Sequence, residues 1–303
     1  MHRSGTTMLA RMLRDLGLFI GWSLQENYES RFFLEINQSV MNASHGTWDN
    51  PEVIEAVLAN PEMRRKIVRA MRADLRSFSC LYYLGPRHFL KYRSAFRIDR
   101  PWGWKEPQNT ILLPLWLDIF PSARIVHIYR NGVDVAGSLA SRERKRIAGV
   151  LNEKETLTTM ISSQRGQLKN ASLPAYLLQK LKARYEKLQP LFKYSGLGVR
   201  PSFSLEKGFR LWTYYVEKAF SWTEGHPEQS ISVKYEDFLL DPCGRLNEIA
   251  RFCGLRVDSG RVRNSAETAD VARGFAFKKD AALAQFHEQV RQNHWMIKLG
   301  YGG

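Results

Sequence analysis

Apolar residues recur at helical spacing from the start of the chain. Met8, Leu9, Met12, Leu13 and Leu16 share one face and predict a helix over 6–16, fed by the small polar loop at 3–7. Residues 52–78 repeat the pattern at Val53, Ile54, Val57 and Leu58, then at Met63, Ile67, Met71 and Leu75, with arginines between; Pro61 is expected to separate a pair of amphipathic helices. A helix is expected over 108–119. Residues 123–129 (ARIVHIY) form a short apolar run rich in β-branched side chains, bounded by a Pro-Ser turn and by Arg130-Asn131-Gly132, which reads as a buried strand. A helix pattern follows at Val133, Ala136, Leu139 and Ala140. Residues 230–235 (SISVKY) give a second strand, 205–223 a helix whose Trp212 and Tyr215 are core candidates, and 281–298 a terminal helix. Strands separated by helices predict a parallel sheet with α/β crossovers.

Residues 143–207 break this rhythm. Charge becomes dense, apolar positions thin out, and Gly196, Gly198, Pro201 and Ser202 mark a loop, so the segment reads as a helical insertion with a solvated surface. The 303 residues, 44% hydrophobic and 25% charged, suit an ordinary globular protein of one large domain or two smaller ones. Forty-five Lys and Arg against thirty Asp and Glu leave a net charge of +15, which favours an anionic partner: nucleotide, nucleic acid, acidic glycan or membrane surface. Cys80, Cys243 and Cys253 cannot all pair and lack C-x-x-C spacing, which argues against a disulfide framework or structural zinc. The longest apolar run, 111–120, contains Pro114 and Asp118 and falls short of the ~18 residues a membrane span needs. No signal peptide opens the chain, and a cytoplasmic location is expected.

The loop Arg3-Ser4-Gly5-Thr6-Thr7 has the parts of an oxyanion cradle. Gly5 lets backbone approach a ligand, Thr6 and Thr7 offer hydroxyls and N–H groups at a helix N-terminus, and Arg3 adds a charged fork. The same pentapeptide also makes ordinary turns and caps. Walker A, G-x-x-x-x-G-K-[ST], is absent. Arg130 ends the 123–129 strand, where open α/β sheets bind ligands, and Ser138 follows eight residues on; together they could hold a second phosphate, or be a turn residue and helix filler.

The RSGTT loop, the segment FPSARIVHIYRNGVDVAGSL and the stretch VKYEDFLLDPCGRLNEIARFCGL together resemble the sulfotransferases that use 3′-phosphoadenosine-5′-phosphosulfate (PAPS), in particular the bacterial and Golgi-type group with an RSGTT loop. The resemblance covers 2–20, 101–142, 208–255 and more loosely the C-terminal end. It implies an α/β fold of three layers, a P-loop-like parallel sheet flanked by helices, as a single domain over 1–303 with the helical insertion at 143–207. It also implies that Arg3, Ser4, Gly5, Thr6 and Thr7 grip the 5′-phosphosulfate, that Arg130 and Ser138 grip the 3′-phosphate, and that Tyr235 of Tyr235-Glu236-Asp237 lies near the nucleotide. Arg273, Lys278 and Lys279 are available as further basic residues for the 3′-phosphate. In the family a hydrophobic strand precedes the loop, so that first strand is expected upstream of Met1.

Lys105, in Trp104-Lys105-Glu106-Pro107, is similar to the family's K-x-P lysine beside the transferring group; with Arg3 it is a candidate to stabilise charge on the bridging oxygen. The alternative is an exposed charge ahead of a helix cap. Related enzymes place a glutamate some twenty residues after the loop, which makes Glu26 the first candidate for general base, then Glu29 and Glu35, with His45 behind them. His127, inside an apolar strand, reads as a core histidine. The implied function is transfer of a sulfuryl group from PAPS to a hydroxyl or amine, giving adenosine 3′,5′-bisphosphate, without a metal. The acceptor, a glycan, peptide tyrosine, lipid or small molecule, is not readable. Rival readings are a kinase or NTPase with a degenerate loop, against which the missing Walker lysine and the lack of an evident Mg²⁺ aspartate argue, and a non-catalytic basic nucleic-acid-binding protein, suggested by the charge alone.

Overall fold

A computed structural model of the chain describes residues 3–152 and 204–303. The expected insertion at 143–207 lies mostly outside the described residues; what is described of it shows helix α7 (Gly132–Asn152) continuing to 152 and helix α8 (Leu205–Gly225) already under way by 207. Before them come α1 (Thr6–Asp15), α2 (Arg31–Ala43), α3 (Glu52–Ala59), α4 (Pro61–Arg76), α5 (Leu81–Tyr92), α6 (Asn109–Ile119) and strand β1 (Ile125–Tyr129). After α8 follow β2 (Ser230–Lys234), α9 (Tyr235–Leu240), α10 (Pro242–Phe252), α11 (Ser259–Ala266), α12 (Ala281–Val290) and α13 (His294–Lys298).

Local chemistry sets most boundaries. Pro61 stands at the first turn of α4, and the Asn60 side chain accepts from the N–H groups of Glu62 and Met63 at 3.0 and 3.1 Å, ending α3 and starting α4 as the pattern predicted. The terminal helix expected over 281–298 is instead two helices. The Asn293 side chain accepts from Trp295 N–H at 2.9 Å and restarts the chain as α13 after a turn at 291–293. The second strand closes at Lys234, and Tyr235 opens α9.

The strands β1 and β2 run parallel in unbroken register, from Ile125 opposite Ser230 to Tyr129 opposite Lys234. Helices cover both faces. On one, Ile128 and Val233 join Leu9, Met12 and Leu13 of α1 and Leu246 and Ile249 of α10. On the other, His127 and Tyr129 meet Phe220 of α8 with ring centroids 5.0 and 5.3 Å apart. The three-layer α/β expectation therefore holds locally, but the sheet has two strands among the described residues and the rest of the fold is helical. The physical reason is that only 123–129 and 230–235 carry short β-branched runs, whereas the other apolar patterns have helical period. No helix among the described residues is long and apolar enough to cross a membrane.

Helices α7 and α8 pack through small residues. A Cβ on Gly132 would stand 2.7 Å from the Trp212 ring, and one on Gly208 would stand 3.0 Å from Ala136 Cα. Trp212 is fully buried and its Nε1 donates to Arg130 O at 3.0 Å, so this close crossing also fixes the end of β1. Gly132→Ala should therefore destabilise by about 1–3 kcal/mol through overpacking. The check is a lower urea midpoint with an unchanged slope; an unaltered midpoint would mean that α7 and α8 yield without cost.

Candidate functional site

The loop Arg3-Ser4-Gly5-Thr6-Thr7 feeds α1 through two left-handed residues, Arg3 at φ 68° and Gly5 at φ 88°. Gly5 is required twice over, by that φ and by the Tyr235 ring, which would lie 2.5 Å from any Cβ placed there. The first-turn N–H groups of Thr6 and Thr7 have no acceptor within the helix and concentrate partial positive charge at its end. Ser4 is fully buried and its hydroxyl has no partner among the described residues.

The second segment meets this loop directly. Arg3 Nε donates to Ser138 Oγ at 2.7 Å across 135 residues of sequence. The Arg130 guanidinium lies 4.9 Å over the Tyr235 ring, on which Gly5 also packs. Asp134, one helical turn after Arg130 and nearly fully buried, accepts from Arg130 Nη2 at 2.9 Å. The same carboxylate accepts from Ala276 N–H at 3.2 Å and Phe277 N–H at 2.7 Å, while Arg130 Nη2 donates to Arg273 O at 2.6 Å. The C-terminal segment is thereby tied to the strand end. Burial and then the charges of Arg142, Arg130 and Arg273 hold the Arg3 guanidinium below its ordinary value, although some of the side chain still meets solvent. A site with this much converging positive charge is built for an anion.

A second cluster adjoins the loop on the side of α2. Lys105 Nζ donates to Glu29 Oε1 at 2.8 Å, to Asn27 O at 3.1 Å and to Thr7 Oγ1 at 3.5 Å. Both charged side chains of that pair are largely buried, at 13% and 6% exposure, so Lys105 is no free surface charge. Next to it Glu106 is buried. Its Oε2 accepts from Asn37 Nδ2 and its Oε1 has no partner among the described residues. Burial pushes the Glu106 carboxyl up to about 8. Asn37 is fixed in turn by Trp116 Nε1 and Asn109 Oδ1, at 3.0 and 2.8 Å, and Trp104 stacks on Phe33 with centroids 4.0 Å apart.

The chain matches the family model described as "Sulfotransferase family" over residues 1–188 and the one described as "Sulfotransferase domain" over 113–295. It belongs to the sulfotransferase family. No curated protein and no solved structure matches it.

Within this sulfotransferase the structure brings together Arg3, Ser4, Gly5, Thr6, Thr7, Arg130, Ser138 and Tyr235, with Lys105 on the far side of Thr7. Glu26, first by spacing, is exposed and makes no contact with Lys105; Glu29 does, and Glu35 lies half-buried on α2. His45 sits half-buried at the end of α2 in a left-handed conformation, φ 56°. Lys279 Nζ donates to Ala272 O at 3.2 Å, and Lys278 lies 5.1 Å over the Phe275 ring. His127 is core: it lies 3.3 Å from Ser232 Oγ, and burial lowers it to about 3. Sequence reading missed Asp134 and Arg142. Their spacings were visible: Asp134 follows Arg130 by four residues, in the first turn of α7, and Arg142 follows Ser138 by four on one face of that helix.

The raised carboxyl of Glu106 has a consequence for stability. Its folded-state value lies above the unfolded one, so its contribution is full below about pH 4.5 and is lost as pH rises through about 8. Glu106→Gln removes this titration. The unmutated protein should therefore lose stability relative to the variant between pH 5 and 8, by the order of a few kcal/mol, read as diverging thermal midpoints. Parallel midpoints across that range would show that Glu106 is ionised throughout.

Proposed function

We propose that this sulfotransferase moves a sulfuryl group from PAPS to an acceptor hydroxyl or amine. The observation that carries the reading is the hydrogen bond from Arg3 to Ser138. It joins a helix-terminal phosphate cradle to a second basic locus at a strand end, so one nucleotide carrying both 5′ and 3′ phosphates could engage both. The buried, unpartnered Ser4 hydroxyl at the loop fits an anionic oxygen there.

In this reading Thr6, Thr7 and Arg3 hold the 5′-phosphosulfate, and Arg130, Ser138 and Arg273 hold the 3′-phosphate, with Tyr235 beneath. Lys105, next to Thr7, meets the charge that develops on the bridging oxygen. Among the three candidate glutamates Glu29 is the better placed base, because its carboxylate already sits against Lys105 and one side chain from Thr7. The acceptor oxygen forms a bond to sulfur as the bond from sulfur to the bridging oxygen breaks. The electron pair stays on that oxygen, and the acceptor proton passes to Glu29.

Calorimetric titration tests the donor. Adenosine 3′,5′-bisphosphate should bind at least tenfold more tightly than ADP, a difference of about 1.4 kcal/mol, and Arg130→Ala should abolish most of that preference. Equal affinities in the unmutated protein would favour an ordinary nucleotide enzyme instead. For the base, Glu29→Gln should slow bisphosphate release from PAPS in the presence of an acceptor by about 10²–10⁴-fold, with the bisphosphate affinity kept. Full activity in that variant, with loss in Glu26→Gln, would return the role to Glu26.

A further inference from the structure

Part of the net charge of +15 collects around α5. Between Asp74 and Asp99 the chain carries Arg76, Arg87, Lys91, Arg93 and Arg97 and no carboxylate. Lys91 pairs with Asp99 at 2.8 Å, whereas Arg87, Arg93 and Arg97 are exposed and have no ion pair among the described residues.

The same helix gathers exposed apolar side chains. Trp22, Phe78 and Leu90 are 57%, 55% and 69% exposed. Trp22 lies against α5 at Gly85, where a Cβ would stand 2.6 Å from the indole ring, and its N–H donates to Tyr83 O at 2.7 Å. Phe78, in the turn ahead of α5, meets the buried Phe89 ring edge-on with centroids 5.2 Å apart. Arg93 lies 5.7 Å over that same ring. Pro86, Leu90 and Arg93 follow at i, i+4 and i+7 and share one side of the helix. Packing therefore holds Trp22 and Phe78 in place while much of each ring stays in water. One bulky apolar side chain at a surface is ordinary, but three against one helix mark a contact.

A polyanion alone leaves Phe78 and Leu90 unexplained, and an apolar partner leaves the arginines unexplained. The partner has to offer anionic groups and hydrocarbon together. Leu90, the most exposed of the three, has no ring face on which a nucleic-acid base could stack. A second copy of this chain would set the same unpaired arginines against one another. The cores of protein interfaces are depleted of charge, whereas Arg87, Lys91 and Arg93 all stand within three residues of Leu90. At an anionic bilayer the mixture is favourable. Apolar tips enter the boundary between headgroups and acyl chains, and guanidinium groups on long stems stay among the headgroup charges.

We propose that the α5 face docks on an anionic lipid surface, with Phe78, Leu90 and Trp22 entering the boundary and Arg87 and Arg93 meeting the headgroups. The attachment is peripheral, and it stands or falls separately from the donor assignment.

The test is cosedimentation of the full chain with vesicles of equal parts phosphatidylcholine and phosphatidylserine, against phosphatidylcholine alone, at about 0.15 M salt. The unmutated chain should bind the mixed vesicles and not the neutral ones. Phe78→Ser/Leu90→Ser and Arg87→Gln/Arg93→Gln should each weaken binding by roughly tenfold or more, with thermal midpoints showing that both variants are folded. Hydrogen exchange in the unmutated chain should slow over 78–93 when mixed vesicles are added, a readout independent of how the variants fold. Absence of vesicle binding or of protection at 78–93 would overturn the proposal. So would undiminished binding by folded Phe78→Ser/Leu90→Ser, because charge alone would then suffice. Protection of 78–93 by a single-stranded oligonucleotide and not by vesicles would assign the surface to nucleic acid instead.

Discussion

The Tyr235 ring is the contact on which the anion site turns. Gly5 packs on it so closely that no side chain fits between them, and the Arg130 guanidinium lies over it at 4.9 Å. One aromatic side chain therefore sets the relative position of two segments about 125 residues apart. Tyr235 is itself held because it opens α9 at the end of β2, and its neighbour Glu236 accepts from Asn131 N–H at 3.1 Å and from Tyr301 Oη at 2.6 Å. Burial raises the Glu236 carboxyl, with the bonds from Tyr301 and Asn131 pulling the other way, so these two donors are what make its place in the core tolerable. The two-stranded sheet is small, but it is enough to bring Arg130, Tyr235 and Glu236 to the same edge.

The Lys105 side of the loop is stiffened by different means. Phe33, Trp104 and Trp116 form an aromatic block, and Asn37 threads through it to reach Glu106, Asn109 and Trp116. Lys105 and Glu106 are consecutive yet have opposite fates. The first turns toward the loop to pair with Glu29, and the second is buried under α2 with one oxygen unsatisfied. Such a network holds the backbone at 105–106 in one place, because every rearrangement would leave more buried polar groups unpaired. Lys105 is thus presented to Thr7 from a rigid base.

Much of this was legible in the chain. The RSGTT loop, the strand ending in Arg130 and the Tyr235-Glu236-Asp237 turn are each local patterns, and local patterns survive folding because they encode a turn, a cap or a strand end. The choice among Glu26, Glu29 and Glu35 was not legible, since residues 17–30 are mostly irregular and spacing along a loop does not fix direction in space. Asp134 escaped notice for another reason: an acidic residue near a basic cluster looks unfavourable until its role in orienting Arg130 and capping the 276–277 backbone is seen. The family resemblance carries a whole P-loop-like fold, whereas the described residues contribute two strands, the two that the sequence pattern marks. The break at 291–293 was missed although Asn293 is a good N-cap residue: its side chain accepts from Trp295 N–H and restarts the helix.

The arginines around the loop divide by how their charge is balanced, and that division bears on what each can do for an anion. Arg130 has its charge matched by buried Asp134 and its Nη2 occupied by Arg273 O as well, so it offers direction and a fixed plane more than net charge. Arg3 has only the neutral Ser138 hydroxyl as a hydrogen-bond partner among the described residues, and it faces Arg142, Arg130 and Arg273. Its positive charge is not matched by an ion pair among the described residues. An arriving anion relieves that mutual repulsion, so the field of the group favours binding before any single contact forms. Once bound, the anion is placed by the groups that cannot move: the N–H groups at the start of α1, the Arg130 plane fixed by Asp134, and Lys105 braced by Glu29. A cradle with all its arginines paired would hold geometry without attraction, and one with none paired would attract without geometry.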